Sequence, residues 1–356
     1  MRAAILGAGV VGVATAWYLR ERGWDVDVYD RQPDVGMETS FANGGQISVS
    51  HAEPWAAPGV PMKALKWLGQ EDAPLLFRPQ MDIQQWTWGL KFLRECTHGR
   101  WLANTKNLIA LGLYSRQALQ DLRQALPLAY EQATRGIMHV YTEAGSFEDA
   151  KVHAKTMESL GVDRVVLTPE QALRHEPALR HLLPRIQGAT YTQSDEQGDA
   201  LLFTQQLAYY CKMRGVRFHH GVNITKLVGS DGKVQTAVGC TNDGMAVFMD
   251  ADAFVVALGP HSRKLTEPLG LNIPIYPAKG YSATYRIEDF GKVPTMSMTD
   301  ESRKVVFSRL GDYLRVAGTA EFNGFNMELN KERCEALDRA TRDWFKGGVD
   351  HDSVQY

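Results

Sequence analysis

The strongest constraint on this chain is a glycine spacing close to its start, where Gly7-Ala8-Gly9-Val10-Val11-Gly12 reads G-x-G-x-x-G. An apolar stretch at 3–6 predicts a strand leading into it. Helical periodicity over 10–22, stopped by Gly23, predicts a helix leading out, and 26–29 predicts a second strand. Gly7 permits the tight turn, Gly9 lets the backbone approach a pyrophosphate, and Gly12 lets the helix pack on the strand. The helix start at Val10 and Val11 offers unpaired N–H groups and the positive end of a dipole to that anion. Asp30 ends the second strand as an acceptor for an adenosine ribose. Arg31 follows it as a solvated side chain beside the adenosine; the other reading of Arg31, a 2′-phosphate contact, would point to NADP. A glycine-rich turn that binds nothing has the same composition. Strand, helix and acid in register favour the dinucleotide.

The fingerprint alone does not separate FAD from NAD, so the loop after it matters. Glu38-Thr39-Ser40-Phe41-Ala42-Asn43-Gly44-Gly45-Gln46 combines small residues, whose amides can reach phosphate or flavin, with polar groups on Ser40, Asn43 and Gln46. Read by itself it also suits an ordinary surface loop. A Pro/Trp-rich segment, Pro54-Trp55-Ala56-Ala57-Pro58-Gly59-Val60-Pro61, follows and is expected not to form regular helix. Helices are predicted over 84–96, 104–125, 147–160, 331–345 and from the cap Asp199 to 213; strands over 137–141, 165–167, 188–191, 216–218, 253–258, 275–286, 305–308 and 313–318, with a β-meander before 253.

In these segments, and in Gly198-Asp199 with Leu202-Phe203-Thr204-Gln205, Tyr276-Pro277 with Lys279-Gly280-Tyr281-Ser282, and Gly324-Phe325-Asn326, the chain resembles the D-amino acid oxidase superfamily of flavoproteins. Within it, the resemblance is to the bacterial D-amino acid dehydrogenase small-subunit family, and it covers essentially the whole chain. It implies FAD held by Gly7, Gly9, Val10, Val11 and Gly12 at the pyrophosphate, with Asp30 and Arg31 at the adenosine. Ser40, Asn43, Gly44, Gly45 and Gln46 are implied near the phosphate-to-flavin stretch, Ile224 at adenine, and Ala257 and Gly259 at a second approach to the cofactor. Without the resemblance, Ile224 and Ala257 are core strand residues and Gly259 a turn.

The implied fold is α/β, α+β overall: a Rossmann-like FAD-binding domain interleaved with a mixed α+β substrate domain built on an antiparallel sheet. The expected division gives 1–50 and 186–262 to the FAD-binding domain and 51–185 and 263–356 to the mainly helical and substrate parts. Two domains also suit a chain of 356 residues. The implied chemistry is oxidative deamination of a D-amino acid such as D-alanine, with hydride passing from Cα to flavin N5 and electrons going on to a quinone or respiratory acceptor. Sister activities on glycine, sarcosine or proline are the alternative within the family. The resemblance further implies an Arg-containing segment and a Gly-rich stretch after Gly347-Gly348; the sequence stops at Tyr356, so a truncated chain with impaired FAD binding and turnover is also an expectation.

The chemistry needs a cation for the substrate carboxylate. Tyr281 and Lys279 are the candidates for substrate positioning; Tyr276, Arg303, Arg309 and Arg315 are weaker, since exposed or packing roles account for them as well. With 39 Lys plus Arg against 41 Asp plus Glu, no field attracts nucleic acid. Four scattered cysteines read as reduced thiols of a cytoplasmic protein. No transmembrane run is present in the sequence, which leaves at most peripheral contact on the cytoplasmic face of the inner membrane. Trp86 and Trp88 suit such a surface, although a buried helix face explains them more simply. The histidines contain no H-E-x-x-H, and His219-His220 point to opposite faces of a strand, which argues against a metal site.

Overall fold

The computed structural model describes residues 1–67, 69–71 and 73–356. These divide into two units: Met1–Ala42 with Leu128–Tyr130 and Asp199–Ile275, and Asn43–Pro127 with Glu131–Gly198 and Tyr276–Tyr356.

Parallel pairing builds the first unit. Arg2–Leu6 lies between Ala253–Val256 and Asp25–Tyr29, and Arg217–His219 extends the sheet beyond the latter. Four of the five residues in Arg2–Leu6 and in Asp25–Tyr29 are buried, as expected for parallel strands covered on both faces. The helices Val10–Glu21 and Ala200–Met213 pack together beside this sheet. The second of them starts where its sequence says it should, the Asp199 carboxylate accepting from the Leu202 N–H at 3.0 Å. The expected meander is an antiparallel sheet of Val222–Ser230, Lys233–Thr241 and Ala246–Asp250. Val222, Leu227, Ala237 and Met249 from it join Ala4, Leu6 and Tyr29 in one apolar core.

The second unit is organised by a nine-stranded mixed sheet. Along its path run Val349–Gln355, Lys279–Ile287, Tyr313–Phe322, Val305–Leu310, Ser297–Asp300, Ile137–Tyr141, Gly188–Thr192 and Arg164–Leu167. Leu75–Phe77 pairs beside Tyr313–Phe322. Most joins are antiparallel, but Ser297–Asp300 meets Ile137–Tyr141 in parallel, Thr299 opposite His139. The helix Lys331–Trp344 covers the sheet, and Leu337, Ala340 and Trp344 join Tyr285, Phe307, Leu314 and Val316 in the main core.

Three expectations need correction. The Pro/Trp-rich segment does end in helix, because Val60–Trp67 begins inside it; Pro61 stands in the first turn, where a missing N–H costs nothing. The strand expected from 275 begins only at Lys279, since Pro277 cannot donate to a ladder. The helix expected from 104 starts earlier, as His98–Ala125.

Candidate cofactor and active site

In the first unit the three fingerprint glycines differ in what surrounds them. Gly7 has φ +112°, and a Cβ there would lie 2.3 Å from the Ala257 carbonyl oxygen. A Cβ on Gly12 would lie 1.9 Å from the Gly7 carbonyl oxygen, so the helix is seated directly on the turn. Gly9 is the exception: nothing stands nearer to its would-be Cβ than Ser40 Oγ at 3.6 Å. The first and third glycines are therefore required by the fold itself, while a Cβ at the second would meet only an ordinary van der Waals contact from Ser40.

That start is suited to an anion. Gly9 caps Val10–Glu21 without a side-chain bond, no acid occupies the first turn, and Val11 is exposed. Ser40 Oγ accepts from the Val10 N–H at 3.1 Å, which draws the start of the polar loop to the helix end. Asp30 does more than its expected task required. Its carboxylate accepts from the Ala8 N–H at 2.6 Å and the Gln32 N–H at 2.8 Å, fixing the glycine turn to the end of the second strand. A carboxylate has about four lone-pair sites, so these bonds leave capacity for ribose hydroxyls. Arg31 Nε donates to Glu38 at 2.6 Å, and its guanidinium also lies 3.1 Å from His261 Nε2.

Ala257 continues the first-unit sheet, donating to the Leu6 carbonyl at 2.8 Å, and Gly259, at φ +51°, opens a short 3₁₀ turn. Ile224 sits at a bulge in Val222–Ser230 and packs on the core cluster of Leu6 and Tyr29.

Asn43, Gly44, Gly45 and Gln46 belong to the second unit. Asn43 Oδ1 accepts from the Gly45 N–H at 2.9 Å; the Gly44 carbonyl accepts from Ser308 Oγ at 2.6 Å; Gly45, at φ +67°, accepts from the Gly198 N–H at 2.8 Å. Gln46 donates to Ser297 at 2.9 Å and Thr299 at 3.3 Å. A Cβ on Gly44 would press on Val306 at 3.3 Å. Asp195, wholly buried, then takes the Val49 N–H at 2.9 Å and the Ser48 and Ser50 hydroxyls at 2.7 and 2.5 Å. Sequence reasoning missed this anchor, since nothing in its local spacing ties it to residues 48–50.

Tyr281 and Lys279 meet at a residue the sequence had not singled out. Tyr281 donates to Glu321 Oε2 at 2.5 Å, Lys279 Nζ stands 3.2 Å from the same oxygen, and Arg78 Nε donates to Oε1 at 2.7 Å. Burial alone would raise the Glu321 carboxyl, but the bonds from Tyr281, Arg78 and Lys279 outweigh it and hold it at about 2. Burial and that carboxylate together push the Tyr281 phenol upward. Lys279 also donates to the Glu328 carbonyl at 2.8 Å. Tyr276 is buried and stacks on Trp88 at 5.5 Å. Arg303 pairs with Asp300 and Asp343, Arg309 lies over the Phe290 ring, and Arg315 donates to Thr284. Trp88 packs against Tyr276 and Phe322, whereas Trp86 is half exposed, its indole N–H on the Gln80 carbonyl.

Comparison with known families covers the whole of this chain but its first residue. The model for "FAD dependent oxidoreductase" matches residues 2–356. The chain belongs to this family. Its cofactor is accordingly FAD, and the open helix start at Gly9 fits the pyrophosphate of that cofactor. Among curated relatives of this FAD-dependent oxidoreductase, the D-amino acid dehydrogenase of Dechloromonas aromatica is 50% identical over 348 residues, covering 97% of this chain and 82% of the relative. The D-amino acid dehydrogenase of Paramagnetospirillum magneticum is 45% identical over 356 residues, covering 100% and 83%. The fold is shared with glycine oxidase from Geobacillus kaustophilus (TM-score 0.69, 20% identity, 98% of this chain and 78% of that one). It is also shared with L-proline dehydrogenase from P. horikoshii (TM-score 0.65, 12% identity, 99% and 79%). Among the described residues, no helix is long and apolar enough to cross a membrane.

Proposed function

We propose that the chain oxidises D-amino acids to 2-oxo acids and ammonia as a D-amino acid dehydrogenase. The observation that carries this reading is 40 to 50% identity, over 97 to 100% of the chain, to relatives bearing that name. The chemistry that FAD would supply when bound is the two-electron oxidation of the amino acid at Cα. The protein's part is binding and orientation. In the first unit the turn at Gly7, Gly9 and Gly12 and the N–H group at Val11 hold the pyrophosphate, while Val10, whose N–H goes to Ser40, ties the polar loop to that turn. Asp30 receives the ribose, Arg31 and Ile224 border the adenosine, and Ser40, Ala257 and Gly259 support the turn. In the second unit Asn43, Gly44, Gly45 and Gln46 are rigidly seated on the sheet and take the role the family resemblance gives them. Lys279 and Tyr281, fixed by Glu321, position the amino acid. Electrons pass to a quinone or respiratory carrier, with the protein in the cytoplasm and peripheral to the inner membrane.

The test is anaerobic spectroscopy of the purified yellow protein. D-Alanine should bleach the flavin band and L-alanine should not. Bleaching by glycine, sarcosine or L-proline alone would replace this reading with a sister activity.

A further inference from the structure

Beyond the flavin chemistry, we propose that His51 and His139, both in the second unit, ligate a divalent transition-metal ion of the zinc type, with the Glu301 carboxylate holding the His139 ring in place. No sequence spacing suggests it, because the three residues come from separate segments, and the structure brings one donor atom of each within 4.8 Å of the other two.

His139 is the centre of the argument. It interrupts the otherwise apolar, fully buried strand Ile137–Tyr141 and is itself only 1% exposed. Its Nδ1 lies 2.7 Å from Glu301 Oε1. A carboxylate acceptor places the proton on Nδ1, so Nε2 carries the lone pair. That Nε2 is buried and has no hydrogen-bond partner. A polar atom left so in a core is disfavoured unless something binds it. A lone-pair nitrogen held in place by a carboxylate on the opposite ring nitrogen is the arrangement used by metal-binding histidines.

The surroundings agree. His51 supplies the second imidazole from an exposed loop, its ring centroid 5.0 Å from that of His139 and tilted by 31°. Two nitrogens on a tetrahedral zinc stand about 3.4 Å apart, given bonds of about 2.1 Å. A small movement of the His51 loop meets that need.

Two cations stand nearby and set the limits of the site. Lys304 pairs with Glu301 but is more than half exposed, so it can swing into solvent. Arg164 is already held by the Ser50 carbonyl, Thr190 and Tyr141. Two imidazoles leave two positions of a tetrahedral ion for water or another ligand. The ion would tie the loop that follows Gln46 to the sheet, since Gln46 donates to Thr299 and Thr299 is the register partner of His139.

The test is cobalt(II) titration of the FAD-loaded full chain after chelator treatment, read as cobalt absorbance on the long-wavelength side of the flavin band. Zinc retained after gel filtration is measured alongside. One saturable equivalent is expected. His51→Ala, an exposed loop change, should abolish it while the flavin spectrum and metal-free melting temperature stay at wild-type values. Glu301→Gln should weaken binding about 10- to 100-fold. No stoichiometric uptake by the wild type, or uptake by His51→Ala equal to wild type, would overturn the proposal. If His51→Ala fails to fold, Glu301→Gln decides: wild-type affinity there overturns it equally.

Discussion

Replacing Gly9 by alanine separates what the fold needs from what the cofactor needs. Gly9 has φ −70° and ψ 177°, an ordinary extended conformation, and its added Cβ would stand 3.6 Å from Ser40 Oγ, an ordinary van der Waals contact. An alanine there is unstrained and reduces the freedom of the unfolded chain, which stabilises by about 0.5 kcal/mol. Glycine is preferred over alanine at a helix N-cap, which offsets this gain, so the cofactor-free variant should melt within about 1 °C of the wild-type temperature. FAD is a different matter. If its pyrophosphate lies against the Gly9 backbone, a methyl group forced into that contact costs roughly 1–3 kcal/mol, a loss of about 5- to 150-fold in affinity. Gly12→Ala is the control. Its Cβ would meet a backbone oxygen at 1.9 Å, so the cofactor-free protein itself should be destabilised. Differential scanning fluorimetry of the cofactor-free proteins and FAD titration by flavin fluorescence read both arms. Unchanged FAD affinity in Gly9→Ala would refute the placement of the pyrophosphate. A fall of more than about 1 kcal/mol in its cofactor-free stability would refute the claim that the fold tolerates a Cβ at this position.

Three further outcomes follow from the second unit. Glu321 is held at about 2 in the folded chain, against about 4.3 when unfolded. Its contribution is thus complete above the unfolded value and fades as pH falls through the folded one. The stability gap between wild type and Glu321→Gln should shrink between about pH 4.3 and pH 2 in acid unfolding; a gap that stays constant there would count against the pairing. Asp195→Ala strands three donors, from Val49, Ser48 and Ser50, and should cost about 3 kcal/mol in urea unfolding. Tyr281→Phe and Lys279→Ala should raise KM for D-alanine more than they lower the melting temperature if the pair positions substrate. A lowered melting temperature with unchanged KM would reduce both to supports for Glu321.

How much of this was legible beforehand depended on how local the determining physics is. The Gly7–Gly12 turn, the strand Ile137–Tyr141 and the cap at Asp199 are set by neighbours a few residues away, and the structure has them where periodicity and capping chemistry put them. Val349–Gln355 and Ser297–Asp300 were not foreseen: the former is too polar and the latter, buried at every position, shows no alternation. Such strands are defined by partners far along the chain, and a parallel neighbour such as Ile137–Tyr141 leaves no mark in their own sequence. The same holds more sharply for the carboxylates. Asp195, Glu301 and Glu321 are each almost fully buried on their side chains or as whole residues. Each is tolerated there only because donors from distant segments converge on it.

A usable signal did exist, and it was negative. A histidine inside Ile-Met-His-Val-Tyr, or a glutamate closing the apolar strand that ends in Ala320-Glu321-Phe322, breaks a pattern that otherwise predicts burial. A charged or titratable group in such a place must be paired, so the break itself demands a partner even when the sequence cannot name it. For Glu321 the structure supplies donors from Tyr281, Lys279, Arg78 and Asn323, and the demand is met. For His139 it supplies one, Glu301, and among the described residues leaves Nε2 without a hydrogen-bond partner. The same rule that explains the first residue therefore makes the second a place where a ligand from outside the chain is called for.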